Sequence, residues 1–179
     1  MRVLGIDPGS HKTGWGLVER HGSKLLHVAS GTLVAGALPL AGRLKTIADG
    51  LDRVLSDHRP DAVAVETLFY ARNAASALQL GHARGVALLC AARSNVPVFE
   101  YTAGQIKQAT TGRGRADKEQ VQAMVKVALG LHGRLGLDAS DALAAAITHA
   151  FLDSSPTAAL LRSATGSARR ARRPPAEAS

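Results

Sequence analysis

The sequence is poor in cysteine, in aromatic residues and in long apolar runs, and each scarcity excludes a class of protein. It contains one cysteine, Cys90, so no internal disulfide can form, and no Cys and His spacing resembles a zinc site. No apolar run reaches the roughly 18 residues of a membrane span, and the opening MRVLGID does not have the pattern of a signal peptide. The sequence therefore predicts a cytoplasmic protein without a membrane partner, in which Cys90 is a buried structural thiol.

Length and charge narrow the choice further. A chain of 179 residues can form one compact domain with a hydrophobic core, but not two substantial ones. Its 22 basic and 14 acidic residues give a net charge of +8, which favours a polyanionic partner such as nucleic acid or an acidic membrane surface. The segment 154–179 carries five arginines and one glutamate and is rich in Ser, Ala and Pro. We therefore expect a folded domain over 1–153 and a basic, disordered tail over 154–179.

Hydrophobic periodicity predicts an α/β fold. Short apolar or alternating runs bounded by turn residues predict three strands, at 3–7, 13–20 and 24–34, which form an antiparallel meander. Apolar residues at helical spacing from Leu44 to Leu55 then predict a helix that stops at Arg59-Pro60. The remaining predicted elements are a strand at 61–66, a helix at 76–93, a strand at 96–101, and helices at 116–130 and 138–152. The strand, helix, strand order makes its two strands parallel in one sheet.

Four carboxylates occupy positions from which they can converge. Asp7 ends the first strand and Glu66 ends the fourth, so the two acids lie together if those strands are neighbours. Asp138 and Asp141 are three residues apart at the start of the last helix, a spacing that puts both on one face. Crowded carboxylates remain anionic mainly around a cation, and oxygen ligands favour magnesium or manganese. These residues therefore predict a two-metal centre for attack on a phosphodiester.

Each acid also has an ordinary structural explanation. Asp138 and Asp141 could simply stabilise the N-terminus of a helix, and Asp7 before Pro8-Gly9 could be a turn residue. Glu66 is harder to explain in this way, because a glutamate that closes a buried run of Ala and Val needs a partner or a metal.

The blocks GIDPGSHKTGWG, AVAVE, FEYTAGQIKQATTGRGRADKEQV and DASDALAAAITH, in this order, resemble the RuvC-type Holliday-junction resolvases of the ribonuclease H-like superfamily. The resemblance covers residues 1–153. It implies a ribonuclease H-like fold, with a five-stranded mixed sheet flanked by helices. It also implies that two Mg²⁺ ions, replaceable by Mn²⁺, are bound by four acids, Asp7 as the bridging ligand with Glu66, Asp138 and Asp141.

The same resemblance implies the substrate and the partners. The active form would be a homodimer that cuts opposed strands of like polarity in four-way junction DNA during recombination and repair. The products would be ligatable nicked duplexes with 5′-phosphate and 3′-hydroxyl ends. The branch-migration proteins RuvA and RuvB are the protein partners that the family implies.

Basic and aromatic residues complete the expected site. Lys107 and Lys118 match basic positions near the cleavage centre, where they would offset the charge of a phosphoryl transition state, although either could be a solvated surface lysine. DNA contacts are expected from the loops TLFYARN and TGRGRADK, with Phe69 as the base-stacking wedge. The residues expected to bind DNA are Phe69, Tyr70, Arg72, Arg113 and Arg115. The sequence assigns no specific role to Tyr70.

Three further positions have more than one explanation. Gly81 and Gly85 lie four residues apart on the helix that the resemblance makes the dimer interface, but the spacing could equally serve packing against the sheet. His149 is expected to be a core or capping histidine rather than part of a metal site. His11 is expected to be a solvent-facing turn residue.

Rival functions account for fewer of these motifs. GIDPGS also resembles the phosphate loop of actin-like kinases, but that architecture needs two such domains, and GRGRADK fits neither Walker A nor the dinucleotide fingerprint. We therefore expect no nucleotide cofactor. A RuvX-like ribosomal RNA nuclease is disfavoured by TGRGRADKEQV and the aromatic loop, and a non-catalytic junction binder by the intact acids. The sequence predicts a magnesium-dependent, structure-selective DNA endonuclease.

Overall fold

The computed structural model describes residues 1–67 and 74–153. Phe69, Tyr70, Arg72 and the tail at 154–179 lie outside the described residues. The strands are β1 (Arg2–Asp7), β2 (Lys12–His21), β3 (Lys24–Val34), β4 (Ala62–Glu66) and β5 (Val98–Tyr101). The helices are α1 (Leu40–His58), α2 (Ala74–Arg93), α3 (Ala103–Thr111), α4 (Lys118–Leu129) and α5 (Leu137–Leu152).

The strands form one five-stranded mixed sheet in the order β3-β2-β1-β4-β5. Strands β1, β2 and β3 pair in antiparallel fashion, whereas β4 is parallel to both β1 and β5. The predicted meander and parallel unit are therefore confirmed. Ile6 of β1 pairs with Val65 of β4, so the next residues, Asp7 and Glu66, leave neighbouring strands at the same end of the sheet.

The sheet has a hydrophobic core on each face, because successive strand residues point to opposite sides. Helices α1 and α2 cover one face, with a core that includes Leu4, Ile6 and Leu17 of the strands. Helices α3, α4 and α5 cover the other face, where the core includes Val3 and Val18. The sheet thus lies between two helical layers, and both layers are available to build a site at the ends of β1 and β4.

Helix α5 lies directly on the backbone of β1 and β2, because the strand residues beneath it are glycines. A Cβ atom at Gly5 would stand 1.8 Å from the carbonyl oxygen of Ala142, and one at Gly14 would stand 2.0 Å from that of Asp138. Side chains there would push the helix away from the sheet. The alanine-rich α5 and these glycines therefore bring the start of α5 against the end of β1.

Helix α3 is absent from the sequence-based prediction. It begins with a capping box in which Thr102 Oγ1 accepts a hydrogen bond from the backbone N–H of Gln105, and the Gln105 side chain accepts one from the backbone N–H of Thr102. The T-x-x-Q pattern of this box is the sequence signal for the helix. Helix α4 is shorter than predicted because Asp117 caps its N-terminus and Gly130, with φ of 62°, ends it in the left-handed conformation.

Cys90, a residue of α2, is a free thiol buried in the core between that helix and the sheet, as the sequence predicts. Burial raises the pKa of its thiol to about 11, so the reactive thiolate form is disfavoured. Among the described residues, no helix has both the length and the apolar character needed to span a membrane.

Candidate active site

A pocket of about 280 Å³ lies where β1 and β4 end. Asp7 and Glu66 enter it from the two strands, and Asp141 enters it from the first turns of α5. Lys107 of α3 and Lys118 of α4 also line the pocket. Five of the six residues that the sequence predicts to be catalytic therefore line one pocket, although they come from five different elements.

The sixth residue, Asp138, does not line the pocket but lies close enough to act on Asp7 electrostatically. Its charge helps to raise the pKa of Asp7, and its backbone lies on Gly14 next to the end of β1. Helix α5 is capped at Gly136 without a side-chain hydrogen bond, so neither Asp138 nor Asp141 serves as the side-chain cap. Capping therefore does not account for the pair.

Asp7 is the most strongly perturbed acid of the pocket. Burial, followed by the negative charges of Asp141, Glu66 and Asp138, raises its pKa from 3.8 to about 7, and Lys118 opposes the rise. The pKa of Glu66 is also raised, by burial and then by Asp141, while Lys118 and Lys107 act in the opposite direction. The two strand-end carboxylates are thus destabilised as anions by the surroundings that the fold imposes on them.

Lys118 provides the direct positive contact in the pocket. Its Nζ donates to Asp141 Oδ2 at 3.0 Å, and this hydrogen bond raises the pKa of the lysine. The lysine side chain is 69% exposed while the aspartate side chain is 25% exposed, so the ammonium group approaches the acids from solvent. Because its ammonium group is already in contact with solvent, this lysine can turn towards a phosphate group without first leaving the protein interior.

The donor set fits a hard divalent cation in its chemistry. The acids offer only carboxylate oxygens, and their mutual repulsion at Asp7 is the kind of strain that a bound cation relieves. Within residues 1–67 and 74–153, however, no three acidic, His or Cys side chains stand together as a ready-made metal cage. Asp141 instead pairs with Lys118. The acids are gathered at one place, and one of them, Asp141, is hydrogen-bonded to a lysine.

The predicted DNA-contacting residues fall into two groups. Arg113 and Arg115 are exposed in the connection between α3 and α4, next to Lys118 at the start of α4. The chain enters the other loop directly after Thr67, which follows the pocket residue Glu66, and Phe69, Tyr70 and Arg72 belong to the part that is not described. The arginine loop thus connects two helices, α3 and α4, that each contribute a lysine to the pocket.

A larger cavity, of about 690 Å³, lies at the opposite end of the sheet, near the starts of β4 and β5. Its lining includes Asp52 and Arg93, whose side chains are paired at 3.3 Å. This cavity lies away from the carboxyl ends of β1 and β4, where three carboxylates meet, so the smaller pocket is the better candidate for chemistry.

The histidine and glycine positions left open by the sequence take different environments. His149 is 2% exposed, and its Nδ1 lies 2.7 Å from the Tyr101 hydroxyl, so it is a core histidine as expected. His11 is exposed, as expected, but it also contacts Arg43. A Cβ at Gly81 or Gly85 would meet nothing within 4 Å, so these glycines do not serve packing against the sheet.

Sequence reasoning missed the residues that position the site rather than line it. Gly5 and Gly14 admit α5, and Arg43 is buried behind the loop that follows Asp7. Glycines inside strands are a recognised signal of close backbone approach. An arginine within the apolar stripe of α1, at the position before Leu44, carries a weaker signal.

The antiparallel meander, the two added parallel strands and the carboxylates gathered from β1, β4 and α5 together define a nuclease of the ribonuclease H-like class. Residues 3–149 match the family described as "Crossover junction endodeoxyribonuclease RuvC". The chain therefore belongs to the RuvC family of crossover junction endodeoxyribonucleases, and its enzyme class is a DNA endonuclease that acts on crossover junctions.

Individual relatives agree with this assignment. The crossover junction endodeoxyribonuclease RuvC of Syntrophotalea carbinolica is 58% identical over 151 residues, which cover 84% of this chain and 94% of that protein. The structure of T. thermophilus RuvC in complex with a Holliday junction substrate superposes with a TM-score of 0.80 at 38% identity, covering 85% of this chain and 94% of that one. The yeast mitochondrial Holliday junction resolvase Ydc2 shares the fold, with a TM-score of 0.57 at 9% identity over 82% of this chain and 77% of its own.

Proposed function

We propose that this protein resolves four-way DNA junctions by a magnesium-dependent reaction that nicks two opposed strands of like polarity. The observation that supports the proposal best is the convergence of Asp7, Glu66 and Asp141 with two lysines in one pocket. The chain's similarity to a RuvC described in complex with a Holliday junction supports the choice of substrate.

Four acids would hold two Mg²⁺ ions in each active site, and Mn²⁺ would substitute for them. Asp7, whose pKa is raised by burial and by the charges of the other three acids, would hold the ions together with Glu66, Asp138 and Asp141, all through carboxylate oxygens. When bound, the two ions activate a water for in-line attack on the phosphodiester and neutralise the leaving oxygen.

The lysines act on the phosphate rather than on the acids. Lys118 is mostly exposed, so its ammonium group can leave Asp141 and contact a phosphate oxygen that enters the pocket. Lys107 lines the same pocket. Both positive charges are placed to stabilise the negative charge that accumulates as the phosphorus–oxygen bond breaks. Hydrolysis with departure of the 3′ oxygen leaves a 3′-hydroxyl and a 5′-phosphate, which a ligase can rejoin.

We expect arginines near Lys118 to bind the DNA backbone next to the pocket. Arg113 and Arg115 are exposed beside Lys118, and their guanidinium groups suit phosphate oxygens. Phe69, Tyr70 and Arg72 follow Glu66 closely in the chain, so we place the base-stacking aromatic, Phe69, and further backbone contacts in that loop.

Paired cutting needs two active sites, and α2 offers the surface for a homodimer. Leu78 and Leu89 of this helix are 62% and 57% exposed. Gly81 and Gly85 lie between them at helical spacing, with open space above their Cα atoms. This exposed stripe of apolar and small residues suits close packing against the same stripe of a second copy. In the cell, RuvA and RuvB would deliver the branched substrate.

The proposal is tested with strand-labelled synthetic four-way junctions. The unaltered protein with Mg²⁺ should nick two opposed strands of like polarity, and DNA ligase should reseal the products. Asp7→Asn and Glu66→Gln proteins should lose at least a hundredfold in cutting rate yet retain junction binding in Ca²⁺, because only the reactive centre is changed. Asp57→Asn, which alters an exposed acid of α1, is the matched control and should cut normally.

Two outcomes would contradict the proposal. Undiminished cutting by either active-site variant would remove the acids from the metal centre. Cutting of linear duplex as fast as of the four-way junction would remove the structure selectivity.

A further inference from the structure

A buried positive charge lies directly behind the loop that follows Asp7. Arg43, in the first turns of α1, is 8% exposed. Within the described residues its side chain forms no ion pair with a carboxylate, and its buried Nε has no hydrogen-bond partner. A guanidinium group stays charged at any physiological pH, so this cation is held in the protein without an internal counter-ion.

The partners that Arg43 does have are neutral. Its Nη1 donates to Ser10 Oγ at 3.4 Å and to Nε2 of the His11 ring. A guanidinium group can only donate, so Nε2 is the acceptor in this contact, and the other ring nitrogen, Nδ1, lies 3.4 Å from the carbonyl oxygen of Gly36. Ser10 Oγ in turn donates to Gln79 Oε1 of α2, also at 3.4 Å. Three of these four bonds are at the long limit for hydrogen bonds.

A buried cation whose only acceptors are uncharged lowers the stability of the folded protein, because no negative charge offsets its burial. Such an arrangement is expected where an anion from outside supplies the missing charge. The location agrees with this, because Ser10 is three residues beyond Asp7 and its Cα can lie at most about 10 Å from that of Asp7. The neighbouring Lys12 is exposed and adds a second positive charge to the same loop.

We propose that Arg43, together with Ser10 and His11, forms a phosphate-binding site that holds a backbone phosphate of the substrate strand beside the cleaved bond. The identification of that phosphate with DNA depends on the proposed function, whereas the anion site itself does not. His11 is exposed and stands where an anionic acceptor would stand, so rotation of its side chain opens Nη1 to a phosphate oxygen. The Ser10 hydroxyl, already within reach of the guanidinium, can then donate to the same phosphate.

The site also connects the phosphate to the fold around Asp7. Ser10 links the loop to Gln79 of α2, and Arg43 links it to α1. A DNA phosphate bound there would therefore fix the loop between α1 and α2 while the same DNA strand occupies the pocket.

The first test measures DNA binding without cleavage. Arg43→Met and Arg43→Lys proteins are compared with an Arg53→Met control, which changes an exposed arginine of the same helix. In Ca²⁺, Arg43→Met should weaken binding to a four-way junction roughly tenfold and should reduce the slope of log affinity against log salt by about one for each phosphate that the protein no longer neutralises. Arg43→Lys should keep the slope but bind less tightly, since it keeps the charge without the forked geometry. Arg53→Met should match the unaltered protein.

The second test uses inorganic phosphate alone and so does not depend on DNA. Phosphate should raise the thermal unfolding midpoint of the unaltered and Arg53→Met proteins, and should have no such effect on Arg43→Met. Without phosphate, Arg43→Met should unfold at the same or a higher temperature than the unaltered protein, because it removes an uncompensated buried charge. If the arginine is instead only a structural tie between loop and helix, its removal lowers the midpoint and leaves the salt slope unchanged.

A lowered unfolding midpoint together with an unchanged salt slope for Arg43→Met would overturn the proposal. The absence of any phosphate effect on the unfolding midpoint of the unaltered protein would also overturn it. A protein that binds phosphate through Arg43 but does not cut junctions would refute the proposed function and leave the anion site standing. If Arg43→Met does not fold, Arg43→Lys still tests the site, because an affinity equal to that of the unaltered protein would overturn it.

Discussion

Replacing Asp7 with asparagine should raise the free energy of unfolding while it abolishes DNA cleavage. In the folded protein without metal, the pKa of Asp7 rises from 3.8 to about 7, first through burial and then through the charges of Asp141, Glu66 and Asp138. One pKa unit corresponds to about 1.4 kcal/mol. Ionised Asp7 therefore costs the folded state on the order of 4 kcal/mol at pH 8. Asn removes the charge but must still bury a polar amide, so we expect Asp7→Asn to gain about 1–3 kcal/mol.

The sign of the pH dependence follows from the direction of the shift. An unfolded chain releases the Asp7 proton near pH 4, whereas the folded chain holds it until about pH 7. The folded state is thus favoured at low pH and loses this advantage as the pH rises through that interval. The gain from Asp7→Asn should be greatest at pH 8 and should disappear near pH 4 to 5, where the native acid is protonated in the folded protein.

Thermal unfolding followed by circular dichroism, with a chelator present, measures this effect. At this chain length 1 kcal/mol changes the unfolding midpoint by roughly 2–4 °C, so the difference at pH 8 is well within reach. The matched control is Asp57→Asn, an exposed acid on α1, which should change the midpoint little at either pH. Added Mg²⁺ should stabilise the unaltered protein more than Asp7→Asn, because binding to the folded state alone adds stability. An Asp7→Asn protein that is less stable at pH 8, with no narrowing of the gap towards pH 5, would refute the reasoning.

Three further changes test the packing, the interface and the tail. Gly14→Ala would place a Cβ 2.0 Å from the Asp138 carbonyl oxygen, so it should lower the free energy of unfolding by about 1–3 kcal/mol or more and slow cutting. In the control Gly104→Ala, the nearest atom to the new Cβ is 3.9 Å away, so neither the unfolding midpoint nor the cleavage rate should change. Gly85→Arg should keep the native helix content but give monomers in sedimentation and lose paired cutting, because the new side chain occupies the open space above Gly85. Val127→Arg, at a 73% exposed position of α4, should stay dimeric. A dimeric Gly85→Arg protein would rule out α2 as the interface. Removal of 154–179 should weaken junction affinity mainly at low salt and spare the cleavage rate at saturating protein, since its arginines act through screened attraction; loss of all cutting would contradict this.

Local pattern was enough to place most elements. The five strands follow from short apolar runs bounded by turns, and each lies within about two residues of its prediction because such runs encode which face is buried. Strand β5 begins at Val98 rather than Val96, since Pro97 has no amide to donate to the sheet and contributes its carbonyl oxygen to Val63 instead. Helix α3 was not predicted because its nine residues show little apolar periodicity, and its capping box is the main sequence signal for it.

The chemistry of the site could also be predicted from residue types, but the contacts that bring its residues together could not. Asp7 and Glu66 at strand ends and Asp138 and Asp141 on one helical turn are properties of the sequence. That α5 presses on Gly5 and Gly14, that Lys118 bonds to Asp141, and that Arg43 is buried behind the Asp7 loop depend on contacts between distant segments. No periodicity in one segment specifies which other segment covers it.

By itself, then, the amino-acid order determined the kinds of element, the supply of carboxylates and cations, and the family resemblance that ties them to DNA cleavage. Tertiary structure alone decided that these groups meet in one pocket and that burial and mutual repulsion raise the pKa values of Asp7 and Glu66. It also decided that Arg43 is buried without a carboxylate partner among the described residues. The physical reason is that electrostatic and packing energies depend on distances through space, whereas a sequence pattern records only distances along the chain.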